Sequence, residues 1–128
     1  PTYHVMKMYN VHQDAQLLPL NIKNVMYKNG NRELPAISAS ASKDKNGVIH
    51  ISLVNVDPTK NNTVNLSMHG AALANISGTI LTSPKLQDHN TFDNPNKIKP
   101  AVFRGFTKKG DQLSVSIPPF SVVVLEVK

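Results

Sequence analysis

The chain changes its hydrophobic rhythm once. Between residues 2 and 16, Val5, Met8, Tyr9 and His12 recur at i, i+3, i+4 and i+7, which is one face of a helix. Thr2 is placed to cap that helix. Tyr3, Met6 and Val11 add apolar character off the face, so the helix wants neighbours on more than one side. Beyond Pro19 the period becomes two. Ile37, Ala39 and Ala41 alternate with serines over residues 36–42, and Ile49, Ile51 and Leu53 share one face of residues 48–56. Val64, Leu66 and Met68 alternate with polar residues over 63–68, and Ile76 and Ile80 bracket Gly78. Leu113, Val115 and Ile117 mark a strand over 112–117, and Val123, Leu125 and Val127 mark the last one, over 120–127. Turn formers separate these runs: Lys45-Asn46-Gly47, Asp57-Pro58-Thr59, Ser83-Pro84, Lys109-Gly110-Asp111 and Pro118-Pro119. Short alternating strands punctuated in this way predict an all-β fold. The expected form is an antiparallel β-sandwich of jelly-roll or Greek-key type, preceded by one N-terminal α-helix.

Two segments depart from a simple sandwich. The opposite face of the last strand reads Phe120, Val122, Val124 and Glu126, and residues 48–56 carry Val48, Val54 and Val56 opposite their isoleucines. A solvated outer face would be polar, so part of the outside is expected to be covered by the helix, by a second domain, or by both. Residues 83–100 show no period and contain three prolines, Pro84, Pro95 and Pro100. So long a structureless stretch is expected to be functional or to pack on a partner surface.

Composition narrows the function. The 128 residues suit one domain with a conventional core. Fourteen asparagines and nine prolines against two glutamates favour turns over helices. The absence of cysteine excludes disulfides, thiolate metal sites and a cysteine nucleophile. The net charge of +6 invites a nucleic-acid reading. The bases are dispersed, however, as in Lys43/Lys45, Lys97/Lys99 and Lys108/Lys109, with no interleaved aromatics, and no nucleic-acid partner is expected. The longest aliphatic run, Val122 to Leu125, is far short of the ~20 residues of a membrane span, so no membrane partner is expected either. With no Trp, a carbohydrate platform would have to come from Phe92 or Tyr27. The chain opens on Pro1 without an initiator Met, which suggests processing or a piece of a longer polypeptide.

Reactive groups are few. Glycoside hydrolysis by retention needs two carboxylates about 5–5.5 Å apart. The only glutamates are Glu33, in a turn-rich segment, and Glu126, on the last strand, while Asp44, Asp57, Asp88, Asp93 and Asp111 read as turn residues. Among the histidines His4, His12, His50, His69 and His89, no pair has the spacing of a metal site, and His4 and His12 lie two helical turns apart. His89 beside Asp88 and Asn90 is the one local cluster of ligand-capable groups. There is no G-x-S-x-G and no Gly-rich phosphate loop. The sequons at Asn61, Asn65 and Asn75 are expected by chance from so many asparagines. Accordingly no catalytic, cofactor-binding or metal-binding residue is assigned within the chain.

Three stretches carry a resemblance. The first is Pro1-Thr2-Tyr3-His4-Val5-Met6-Lys7-Met8-Tyr9 with Val11-His12-Gln13-Asp14-Ala15. The second is Leu34-Pro35-Ala36-Ile37-Ser38-Ala39-Ser40-Ala41-Ser42 with His50 to Pro58. The third runs from Leu81-Thr82-Ser83-Pro84 through His89-Asn90-Thr91-Phe92-Asp93-Asn94-Pro95 to Ile117-Pro118-Pro119-Phe120-Ser121-Val122-Val123-Val124-Leu125. In this order they resemble the C-terminal end of an α-L-arabinofuranosidase of glycoside hydrolase family 51. The resemblance implies a (β/α)-barrel catalytic domain followed by this sandwich, with terminal α-L-arabinofuranosyl groups removed from arabinan or arabinoxylan by two barrel glutamates. It implies that residues 1–16 are the last barrel helix and residues 17–128 the sandwich. Both catalytic glutamates then lie upstream of residue 1, so the chain alone is expected to be inactive. The expected partners are that barrel and, at oligomer contacts, further copies.

Overall fold

The computed structural model describes residues 1–23, 25–70 and 72–128. The chain opens with a helix, α1 (Thr2–Tyr9), and a 3-10 turn (Asn10–His12). Eleven strands follow among the described residues: β1 (Gln16–Leu18), β2 (Met26–Asn29), β3 (Arg32–Pro35), β4 (Ile37–Lys43), β5 (Ile49–Asn55), β6 (Asn62–Ser67), β7 (Ile76–Leu81), β8 (Ala101–Val102), β9 (Phe106–Lys109), β10 (Gln112–Ile117) and β11 (Ser121–Val127). One sheet has the order β1-β4-β5-β11-β7-β8 and the other the order β6-β10-β9, with β2 and β3 forming a separate hairpin. Every pairing is antiparallel. The chain crosses to the three-stranded sheet at β6, returns to the large sheet with β7 and β8, crosses again with β9 and β10, and comes back at β11, which enters between β5 and β7. Such repeated crossings between two antiparallel sheets, with the last strand inserted beside β5, are those of a β-sandwich.

The core lies where alternation puts it. Ile49, Ile51 and Leu53 of β5 join Val123, Leu125 and Val127 of β11 on the inner face, where Leu113, Val115 and Ile117 of β10 meet them from the other sheet. Phe103 closes one end of this core and requires Gly105 beside it. A Cβ at Gly105 would stand 2.7 Å from the Phe103 ring and 2.9 Å from the Ser116 carbonyl oxygen. A second, smaller cluster occupies the outer face of the same sheet. Met8 of α1 packs there with Leu81, Val124 and Ile98, flanked by Val5, Tyr9, Val11 and Val122. The apolar outer positions of β11 are therefore covered by the helix and by the 83–100 segment.

The helix is shorter than the expected span of 2–16. It ends at Tyr9, and after the 3-10 turn Gln13 is extended and Asp14 has φ 56°, which turns the chain into β1 at Gln16. Thr2 is the first helical residue and not the cap. Pro1 occupies that position, with no side-chain cap and with its carbonyl accepting from Val5 N–H at 3.2 Å. Five strands fall outside the periodic runs: β1, β2, β3, β8 and β9. The β2–β3 hairpin turns at Gly30-Asn31, where Gly30 takes φ 61°, a dipeptide signal that is legible in the sequence. Residues 83–100 contain no helix or strand.

Candidate functional site

The carboxylates do not converge. Glu33 is exposed on β3, where its cross-strand neighbour Lys28 lies 3.7 Å away. Glu126 lies on β11, on the helix-covered outer face, held 2.8 Å from Lys128 and 3.6 Å from His50. Hydrogen bonding to Lys128 is the main cause holding its carboxyl below the usual glutamate range. The two glutamates thus belong to a separate hairpin and to the central strand of the large sheet, and neither faces the other across a cleft.

The aspartates behave as turn residues. Asp44 accepts from the N–H groups of Asn46 and Val48 at 2.8 and 3.0 Å. Asp57 accepts from Thr59 N–H at 2.9 Å and Lys60 N–H at 3.0 Å, and the Thr59 N–H is the largest influence lowering its carboxyl. Asp88 takes a hydrogen bond from Ser83 and pairs with Lys97 at 2.8 Å. That pair fixes the base of the 83–100 segment, as does Asn90. Its side chain donates to Ile98 O at 2.8 Å and accepts from Ile98 N–H at 2.7 Å. His89 is exposed and its Nδ1 lies 2.9 Å from Gln87 O. The candidate cluster at residues 88–90 is therefore committed to bracing its own loop. Among the described residues no group of three His, Asp or Glu side chains could hold a metal ion. The loop raises Phe92 fully into solvent, whereas Tyr27 is half-buried on β2.

A different polar cluster was not legible as a site. Strand register aligns Ser42, His50, Glu126 and Ser77 in one row across β4, β5, β11 and β7. His12, arriving from the 3-10 turn, places Nδ1 2.6 Å from Ser42 Oγ and Nε2 2.5 Å from Ser52 Oγ. His50 is only 5% exposed and its Nδ1 has no hydrogen-bond partner. A cavity of about 170 Å3 lies between helix and sheet, lined by Lys7, Met8 and Val11 above and by His50, Ser77 and Glu126 among others below. The available signal was the pairing of His50 with Ser52 on the outer face of otherwise apolar β5. A second concavity, of about 610 Å3, runs between residues 19–23 with Val25 and the outer edge of β6. Neither concavity carries a carboxylate pair.

Fold and side chains together define an antiparallel β-sandwich with a docked N-terminal helix and no converged catalytic constellation among the described residues. The family model described as "Alpha-L-arabinofuranosidase C-terminal domain" matches residues 1–121. An intracellular exo-alpha-L-arabinofuranosidase of Bacteroides ovatus is 43% identical over 129 residues, covering 100% of this chain and 25% of that protein. The crystal structure of the GH51 arabinofuranosidase from Xanthomonas axonopodis pv. citri superposes with a TM-score of 0.97 at 36% identity, over 100% of this chain and 26% of that one. AbfB, a family 51 alpha-L-arabinofuranosidase from Bifidobacterium longum, shares the fold at a TM-score of 0.86 and 18% identity, over 99% and 25% of the two chains. The chain belongs to the C-terminal domain family of the GH51 α-L-arabinofuranosidases. It spans about a quarter of the length of these relatives.

Proposed function

We propose that the chain is the non-catalytic sandwich of a retaining α-L-arabinofuranosidase and acts by supporting a catalytic barrel that precedes it. The observation that carries this reading is the separation of Glu33 from Glu126, each neutralised by its own lysine. A retaining site needs two carboxyls facing one glycosidic bond. The exposed Tyr3 and Met6 on the side of α1 turned away from the sandwich fit a helix that also packs against the barrel. Oligomer contacts through the same surface belong to this proposal. The purified chain is expected to release no arabinose from an aryl α-L-arabinofuranoside, and measurable turnover would overturn the assignment.

The complete exposure of Phe92 is the one feature that favours a carbohydrate-binding role instead. A single ring without a partner platform makes a weak sugar site. Titration with arabino-oligosaccharides is expected to leave the Phe92 resonances unmoved.

A further inference from the structure

The joint between the N-terminal helix and the sandwich is built around two imidazoles. His12 is the only contact by which the 3-10 turn hydrogen-bonds both β4 and β5 among the described residues, through Ser42 and Ser52. A neutral imidazole suits two hydroxyls: one ring nitrogen donates while the other accepts. The groups around His12 are few. From α1 come the Tyr9 ring, 5.6 Å away centre to centre, and Lys7, which lines the adjoining cavity. From β5 comes His50, and behind it Glu126 of β11 and Lys128 just beyond that strand. Protonating His12 would force both hydroxyls to act as acceptors and would place a charge in a half-buried position beside His50.

We propose that this cluster is an acid-sensitive latch, which holds residues 2–12 on the outer face of the large sheet when His12 is neutral and releases them when it is protonated. The inference is independent of what the chain supports or binds. Burial, and secondarily the neighbouring His50, lowers the His12 pKa in the docked state. A group whose pKa is depressed by docking contributes stability above its free value, and that contribution is lost as pH falls. The free value is about 6.5, so docking weakens from there downward. If docked His12 stays neutral, the docking equilibrium falls about tenfold by pH 5.5. An eight-residue helix does not persist without packing, so its amide exchange reports docking directly.

The test is amide exchange of the 128-residue chain at pH 7.5 and 5.5, corrected for intrinsic rates. Protection at residues 5–9 should fall by up to about tenfold relative to Val123 and Leu125, and His12→Gln should abolish that dependence. Unchanged protection in the wild type, or an equal fall in His12→Gln, would overturn the latch. Should His12→Gln fail to dock at all, the His12 ring titration of the wild type, followed by NMR, still decides. A midpoint below that of a free histidine supports the proposal, and one at or above it ends it.

Discussion

Met8 offers the sharpest probe of how the molecule is layered. It is the one helix residue buried in the outer cluster, against Leu81, Ile98 and Val124. Leu53 lies on the opposite face of the same sheet, fully buried in the main core. β11 serves both layers, with Val124 directed outward and Val123 and Leu125 inward. Truncating a buried Met or Leu to Ala costs about 2–5 kcal/mol, depending on how far the site collapses. Met8 adjoins the cavity of about 170 Å3, and its surroundings can relax, so the low end near ~2 kcal/mol applies. That corresponds to a roughly 30-fold weaker docking equilibrium. Met8→Ala should therefore speed exchange of the α1 amides about 30-fold while leaving the amides of β5 and β11 protected. Leu53→Ala should instead lower the urea midpoint of the whole sandwich, followed by circular dichroism because the chain has no Trp. If Met8→Ala lowers the global midpoint as much as Leu53→Ala does, the two clusters are one cooperative unit and the layered picture fails. If α1 protection does not change, Met8 is not what holds the helix.

Other substitutions test the sandwich itself. Asn55, 1% exposed, reaches the carbonyls of Lys60, Ile117 and Pro118 with Nδ2 and accepts from Asp57 N–H and Asn62 with Oδ1. Asn55→Ala leaves buried polar groups unpaired and should cost about 3 kcal/mol, read as a lower midpoint with an unchanged urea slope. Gly105→Ala forces a Cβ against the Phe103 ring and the Ser116 carbonyl and should cost about 1–3 kcal/mol, with a shifted Phe103 ring resonance as its signature. A stable Gly105→Ala variant with an unmoved ring would refute the packing argument.

Local periodicity carried much of the architecture. Residues 112–117 form a strand with those very bounds, and 36–42, 48–56, 63–68 and 120–127 each lie within a residue of β4, β5, β6 and β11 at either end. The helical face of Val5, Met8 and Tyr9 is the one that packs, and the double-sided apolar pattern of the last strand correctly announced a second covering layer. These features are legible because one-sided burial imprints a period of two or 3.6 on any element that packs. Strands of two to four residues are too short to show a period. β1, β8 and β9 are strands because β4, β7 and β10 offer them hydrogen-bonding edges, which is decided by the assembled sheet.

What the chain by itself determined was the class of its elements, the faces they bury and the family to which they belong. The tertiary structure alone decided that β11 inserts between β5 and β7, that Glu33 and Glu126 stand in unrelated surroundings, and that His12 meets hydroxyls 30 and 40 residues away. Hydrophobic alternation says that a strand has a buried face but not which strand lies beside it. Polar contacts over such separations exist only once register has been fixed by the packing of the whole.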